Sequence, residues 1–443
     1  MKPYQFLAES LKIAVNRCAT QVASIIIVAL LGGASTDLLA AFSLALSAAA
    51  IFFVANTAIQ YGVQSELGKS FGEGNQRDLF GIFFAGLWLM LLISFFAVGL
   101  AYVLPNPFGA LGQSMISEEA FLAYRVLVLS LPVVAVSAAI QFLLETYQKI
   151  TLVFRLRLMT VSLQLIAVLW ILHGNPAVRA YEISWAYFAT DMIGLIISII
   201  VFAICVDRKA LLRATRASCR LMGERRIYFR ALKSAVPVSV GAVAQKYLFY
   251  YIGIYCASLS TVSASAFAIM NSIIFLLQIP VIGLAHLATI KFSFAYGAND
   301  QVMLEYFRKT AEKIFFLMVF PIGLLAWLAL PWIVSLFSPD VMVAASIVDL
   351  NYLFFLFYFI NCCFVILLGM LRGLSDAFYP QLAVNGILFL VIVPLLQLNT
   401  ALGFSQVVGL FCITGFLAVA GLIARWRRKL GGVLVTLASR ARA

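Results

Sequence analysis

Apolar residues fill this chain in runs of about 20 or more, most of them closed by a short cluster of Lys, Arg, Asp, Asn or Gly. A run of roughly 20 apolar residues is what an α-helix needs to cross a bilayer. The short alternating segments of a membrane β-barrel are not seen. The pattern predicts twelve spans, at about 10–33, 39–63, 79–104, 120–147, 152–173, 181–206, 234–258, 262–290, 311–337, 341–370, 379–398 and 402–424. The expected fold is therefore all-α and integral to the membrane.

Composition agrees: 64% of the 443 residues are apolar and 11% charged, too few polar groups for a soluble surface. The first span carries Glu9, Lys12 and Arg17 near its start and reads as a retained helix, not a signal peptide. Charge gives an orientation. With both termini in the cytoplasm, all of the 31 Lys and Arg except Arg17, Arg125, Arg179 and Lys246 fall on cytoplasmic segments, as the positive-inside rule requires. The net charge of +13 thus reports orientation, and a nucleic-acid partner is not expected. The seven cysteines lie mostly within spans and read as free thiols. The only histidines, His173 and His286, sit at opposite ends of their spans and are expected as interfacial hydrogen bonders. No intramembrane cluster of His, Asp or Cys suggests an enzyme or a metal centre.

The chain also repeats itself. "LKIAVN" (11–16) returns as "LKSAVP" (232–237), half a chain later, and Phe42 returns as Phe267 at a slightly longer offset. "KSFGEGN" (69–75) parallels "SFAYGAN" (293–299), which places Gly72 and Gly297 at the offset of the two phenylalanines, and "LETYQK" (144–149) parallels "LRGLSD" (371–376) more loosely. Six spans return the chain to its starting side, so the halves run in the same sense, as in transporters built from parallel repeats. The expected organisation is an N-terminal six-helix bundle (1–206), a basic cytoplasmic linker (207–233), a C-terminal six-helix bundle (234–426) and a basic cytoplasmic tail (427–443). Asn16 stands where the second copy has Pro237, which predicts a straighter first helix.

The double six-span layout, "LGGASTDLLAAFSLA" (31–45), "LGKSFGEGN" (67–75), "FSFAYGAND" (292–300) and "GMLRGLSDAFYP" (369–380) resemble the multidrug and toxic compound extrusion (MATE) family, within the wider multidrug/oligosaccharidyl-lipid/polysaccharide exporter superfamily. The resemblance implies two bundles around a V-shaped cavity that rock between outward- and inward-open states, exporting organic solutes against H⁺ or Na⁺. It implies no other cofactor, a small-molecule substrate, membrane lipids as partners, a monomer, and a multi-pass location in the cell inner membrane.

The carboxylates that the family uses for coupling are missing. Its usual Asp in the first span falls on Ile27, its Asn and Asp in the fifth on Gln164 and Val168, its Glu in the seventh on Gln245, and its Asp in the tenth on Asn361. Intramembrane charge costs about 2.5–3.5 kcal/mol on insertion scales, so what remains inside the spans is informative. Asp191 in the sixth span and Lys246 in the seventh are the candidate ion- or substrate-binding residues, with Gln245, Asn361, Gln164 and Asn16 as polar companions. Asp191 is a candidate for relocated proton coupling, and Lys246 for an anionic or carbonyl-bearing substrate. A structural ion pair is the alternative. Arg17 and Glu145 read as snorkelling or interfacial pairing. Gly72, Gly74 and Gly297 are expected to relieve strain in tight cytoplasmic turns, with Arg372 and Asp376 able to pair at a helix end; Gly72, Gly297, Arg372 and Asp376 are the gating candidates. The leading function is a secondary-active exporter of a drug or cell-made metabolite. The runner-up is a flippase for a lipid-linked saccharide.

Overall fold

A computed structural model describes residues 3–34, 36–106, 115–174, 178–205, 225–337, 340–398 and 402–442. The described residues form helices without strands: α1 (Pro3–Ala34), α2 (Thr36–Gly72), α3 (Gln76–Val103), α4 (Met115–Leu129), α5 (Leu131–Thr146), α6 (Ile150–Gly174), α7 (Ala180–Cys205), α8 (Arg225–Leu259), α9 (Thr261–Gly297), α10 (Gln301–Leu328), α11 (Leu330–Phe337), α12 (Val341–Val348), α13 (Asn351–Gly373), α14 (Phe378–Leu398) and α15 (Phe404–Arg442). Among the described residues, eleven helical segments are long and apolar enough to cross a bilayer.

Three predicted spans are two helices each. Ser130 separates α4 from α5 just before Pro132, and Ala329 separates α10 from α11 just before Pro331. Proline has no N–H to continue the ladder, so a new helix starts there. The third break, at Asp349 and Leu350, has no proline. Pro280, Pro321 and Pro394 instead stay within helices. Several helices outrun their predicted spans. At 1.5 Å per residue, α2 and α9, with 37 residues each, are about 55 Å long, well beyond a hydrocarbon core of roughly 30 Å. His286 is buried within α9, about three turns before the helix ends at Gly297. The predicted linker falls largely outside the described residues at 207–224, and the predicted tail continues α15 to Arg442.

Contacts gather the chain into two units, Val15–Ser239 and Met1–Ala14 with Val240–Ala443. In Val15–Ser239, one apolar cluster packs small residues (Ala41, Ala45, Ala49, Ala97, Ala101, Ala120, Ala123) around Phe42 and Tyr187. Small side chains let helix backbones approach closely where lipid supplies no hydrophobic drive. A second cluster joins α2, α3 and α5 to Ile227, Ala231 and Ala235 of α8. There Gly62 is obligatory: a Cβ on it would sit 2.4 Å from the Ser234 carbonyl oxygen. In the other unit the core is aromatic, with Phe249, Phe357 and Phe411 in mutual contact and the Phe357 and Phe411 centroids 4.5 Å apart. Gly283 plays the part of Gly62, meeting the Ser10 carbonyl oxygen at 2.2 Å from its ideal Cβ.

The repeat is written in the turns. After α2, the N–H of Asn75 bonds Ser70 O and that of Gly74 bonds Phe71 O; after α9, Asp300 bonds Ala295 O and Asn299 bonds Tyr296 O. Each pair recurs at the offset of Phe42 and Phe267, and Asn75 and Asp300 each cap the next helix by accepting from a backbone N–H, that of Asp78 and of Met303. After α5, Lys149 bonds Leu144 O and Gln148 bonds Glu145 O; after α13, Asp376 bonds Leu371 O and Ser375 bonds Arg372 O. Gly74, Asn299, Gln148 and Ser375 hold the left-handed conformation of these turns. Gly72 and Gly297 are the last residues of α2 and α9, so of the three glycines assigned to turn strain only Gly74 has that conformation.

Candidate functional site

The Val15–Ser239 unit carries polar residues in stripes at helical spacing. Asn16, Thr20 and Ser24 lie four apart on α1, as do Ser137, Gln141 and Glu145 on α5, and Tyr187 and Asp191 on α7. Residues four apart share one helix face. The faces converge on two charged groupings.

The first surrounds Glu145, whose side chain is fully buried. Its carboxylate accepts from Asn16 Nδ2 at 2.8 Å, from Gln64 Nε2 at 3.0 Å and from the Arg17 guanidinium. Arg17 also stacks on Phe142, with its guanidinium carbon 3.7 Å from the ring centroid. Arg17 and Glu145 are therefore a buried pair tied to two amides, more than the snorkelling or interfacial pair expected from sequence. A carboxylate with three donors in an apolar bundle offsets a desolvation cost that an isolated charge could not. Asn16 acts here through its amide, which Pro237 could not supply. The buried Asn16 Oδ1, Gln64 Oε1 and Arg17 Nε atoms have no protein partner.

The second grouping is Arg157 and Asp191. Arg157 of α6 donates to Thr20 of α1, and its buried Nε has no partner. Asp191 of α7 lies beside the Ser130 hydroxyl at the α4–α5 break and within electrostatic reach of Arg157. Among the described residues no ion pair closes on either side chain. The buried Tyr187 hydroxyl, one turn from Asp191, lies beside Ser24 in the polar stripe of α1. Gln164, two turns beyond Arg157 on α6, is buried, as are Ile27 and Val168. The unit thus carries two guanidiniums and two carboxyl groups, with Glu145 buried and Arg157 and Asp191 half-buried, and several buried polar atoms beside them have no protein partner.

Arg157 is the residue that sequence reading missed. The charge count assigns it to a cytoplasmic segment, but α6 begins at Ile150, which places Arg157 two turns inside. Its signal is its Thr20 partner in the polar stripe of α1, visible only if the stripes are read across helices.

The remaining candidates belong to Met1–Ala14 with Val240–Ala443. Asn361 is buried and donates to Phe357 O of its own helix at 2.8 Å. Gln245 is half-buried, and Lys246 is exposed on α8 with no ion pair among the described residues. The pairing expected between Arg372 and Asp376 is not the one formed. Asp376 takes Arg425 Nε at 2.7 Å, and Arg372 Nε donates back to Leu368 O. The helix ends at Gly373 and Ser375 turns left-handed, so Asp376 leaves the helical face that carries Arg372.

A family model described as MatE matches twice, over residues 13–171 and 237–398. The two matches reproduce the repeat. A "Probable multidrug resistance protein NorM" of Caulobacter vibrioides is 24% identical over 415 residues, covering 89% of this chain and 85% of that one. Among solved structures, the outward-facing conformation of a multidrug resistance MATE family transporter of the MOP superfamily aligns with a TM-score of 0.85 at 14% identity, covering 98% of this chain and 97% of that chain. A MOP superfamily transporter from Pyrococcus furiosus, described as having a binding pocket of reverse polarity that suggests a different function, aligns with a TM-score of 0.82 at 13% identity over 98% and 97%. A eukaryotic MATE transporter, AtDTX14, aligns with a TM-score of 0.79 at 14% identity over 98% and 99%.

Proposed function

The chain belongs to the MATE family of multi-pass membrane transporters, and from that premise we propose that it is a secondary-active antiporter. It exports a small organic compound by alternating access, driven by H⁺ or Na⁺ across the cell inner membrane. The observation that carries the reading is the Arg157–Asp191 grouping. Coupling needs a group that changes charge inside the protein and a neighbour that feels the change. Asp191 is an intramembrane carboxylate with no ion pair among the described residues, within reach of a guanidinium with an unused donor. When Asp191 is ionised, the two charges offset each other. When it takes a proton, Arg157 stands uncompensated and the field in the unit changes by one charge. Glu145 is held by three donors and serves as the fixed counter-charge of Arg17.

Purified protein in proteoliposomes, loaded with one cationic, one neutral or one anionic dye and given first a pH and then a Na⁺ gradient, tests this reading. Asp191→Asn should abolish gradient-driven transport, a loss of at least about 10-fold, while leaving the protein folded. Unchanged transport in Asp191→Asn rejects the site. Lys246→Gln should alter the preference among dyes without uncoupling them, and no change in either respect removes Lys246 from the reading.

A second reading keeps the fold and changes the cargo to a lipid-linked saccharide. It is favoured by two guanidiniums, Arg17 and Arg157, inside one unit where the family usually has carboxylates. The reverse polarity described for the Pyrococcus furiosus relative lends it support. Failure of every dye, with movement of an anionic lipid-linked sugar, would favour this reading over antiport of free solutes.

A further inference from the structure

A groove of about 580 Å³ opens on the Val15–Ser239 unit between α3 and the start of α8, lined by Leu89, Arg225, Arg226, Tyr228, Phe229 and Leu232. Its wall is apolar. Phe229, Leu232 and Val236 project from one exposed face of α8, and the exposed Trp88 and Leu92 of α3 continue the surface. One end is strongly basic. Arg225 and Arg226 are both exposed and make no hydrogen bond or ion pair among the described residues. Arg230, one turn further on, is already neutralised. It donates to Glu66 at 2.9 and 3.2 Å and to Asp78 at 2.9 Å. The two arginines at the groove mouth are therefore available for an external anion, and the apolar wall below them is of a length and kind that suits a hydrocarbon chain.

We propose that this groove binds an anionic phospholipid, with the phosphate on Arg225 and Arg226 and an acyl chain along Leu89, Phe229 and Leu232. Charge complementarity selects this occupant. A guanidinium pairs with phosphate through two parallel N–H donors, and basic clusters next to membrane spans attract anionic lipids. A zwitterionic lipid would bring its own cation to the arginine pair. The neighbouring stretch 208–220 carries Arg208, Lys209, Arg213, Arg216 and Arg220, so its charge disfavours it as the ligand of two further arginines.

Native mass spectrometry of the purified full-length protein, titrated with phosphatidylglycerol or phosphatidylcholine, tests the site. The wild type should retain phosphatidylglycerol in preference to phosphatidylcholine. R225Q/R226Q should weaken phosphatidylglycerol retention roughly 30-fold, from the usual contribution of two basic groups at a membrane surface. R225K/R226K should keep most of it. R427Q/R428Q, which removes the same charge from the exposed face of α15, should leave retention within about 2-fold, the change usual for a surface substitution. Inorganic phosphate should not displace the lipid. A groove-filling variant, Leu232→Trp, keeps both arginines and should also lose phosphatidylglycerol. Equal retention of the two lipids by the wild type, equal losses in the two Arg-to-Gln pairs, or full retention by Leu232→Trp would overturn the proposal.

Discussion

At the end of α5, Glu145 is buried and gathers Arg17, Asn16 and Gln64. At the same turn in the second repeat, Arg372 takes the place of Glu145 and folds back on its own helix. The neighbouring inter-helix contact changes in parallel. Gln64 reaches Glu145 across α2 and α5, whereas Thr289, the repeat counterpart of Gln64, donates to Gly369 O at 2.8 Å across α9 and α13. Arg157 has Val384 as its counterpart, a buried apolar residue. The backbone scaffold is common to the two repeats, and at these positions the buried charge is confined to one. A hydrogen-bonded turn needs only backbone groups and one residue that tolerates a left-handed conformation, so two diverged sequences can share it. A buried charge needs a complete set of partners and is kept only where it has a task.

The sharpest way to break this comparison is to remove the charge on each side. Glu145→Ala should cost about 3–5 kcal/mol, because it leaves the Arg17 guanidinium buried and uncompensated. Adding Arg17→Leu to Glu145→Ala should recover much of the loss. Arg372→Ala, at the equivalent turn, should stay within roughly 1 kcal/mol. Thermal unfolding in detergent, followed by tryptophan fluorescence, compares the three. Equal losses at 145 and 372 would mean that the two turns bear charge alike.

A second pair of sites offers a finer contrast. Arg230 binds Glu66 in the Val15–Ser239 unit, and Glu9 binds Lys291 at 3.2 Å in the other. Glu9 and Arg230 share the offset of "LKIAVN" and "LKSAVP", and Glu66 and Lys291 that of Phe42 and Phe267, the two spacings of the repeat. The same positions are thus paired twice with the signs exchanged. Arg230 also holds Asp78, so Arg230→Ala should cost about 1.5–3 kcal/mol, the range for hydrogen bonds to charged groups. Lys291→Ala, which takes a buried lysine from the half-buried Glu9 but among the described residues breaks no second ion pair like that of Asp78, should cost less, about 1–1.5 kcal/mol. The doubly reversed variants Glu66→Lys/Arg230→Glu and Glu9→Lys/Lys291→Glu should each be more stable than their single reversals. A double-mutant cycle with no coupling at 9 and 291 would show that only the first pair holds its helix.

Much of this scaffold is legible in the sequence because membrane helices announce themselves by length and the repeat by spacing. The details that escape are those set by three-dimensional partners. Gly72 and Gly297 carry the repeat spacing, yet the left-handed residues are Gly74 and Asn299, two further on. "LETYQK" and "LRGLSD" form the loosest match, because side chains diverged while the turn's backbone bonds were preserved. The helix break at Asp349 has no proline to mark it. Arg157 is hidden because the charge count gives it to the cytoplasm although the predicted span 152–173 contains it, and the Thr20 partner that marks it lies on another helix.

The smallest effect bears on the turns themselves. Gly74 and Asn299 occupy the same left-handed position, at φ values of 69° and 56°. A residue with a Cβ loses about 1–2 kcal/mol in that region, and Asn, which can bond locally, loses less than most. Gly74→Ala should therefore destabilise by about 1 kcal/mol, with no contribution from crowding, since nothing lies within 4 Å of an added Cβ. Gly74→Asn should be nearly neutral, and Asn299→Gly should be neutral or gain up to about 0.5 kcal/mol. The three variants together separate backbone strain from side-chain loss. If Asn299→Gly destabilised instead, its side chain would be the stabilising group, and the two turns would share their hydrogen bonds for different reasons.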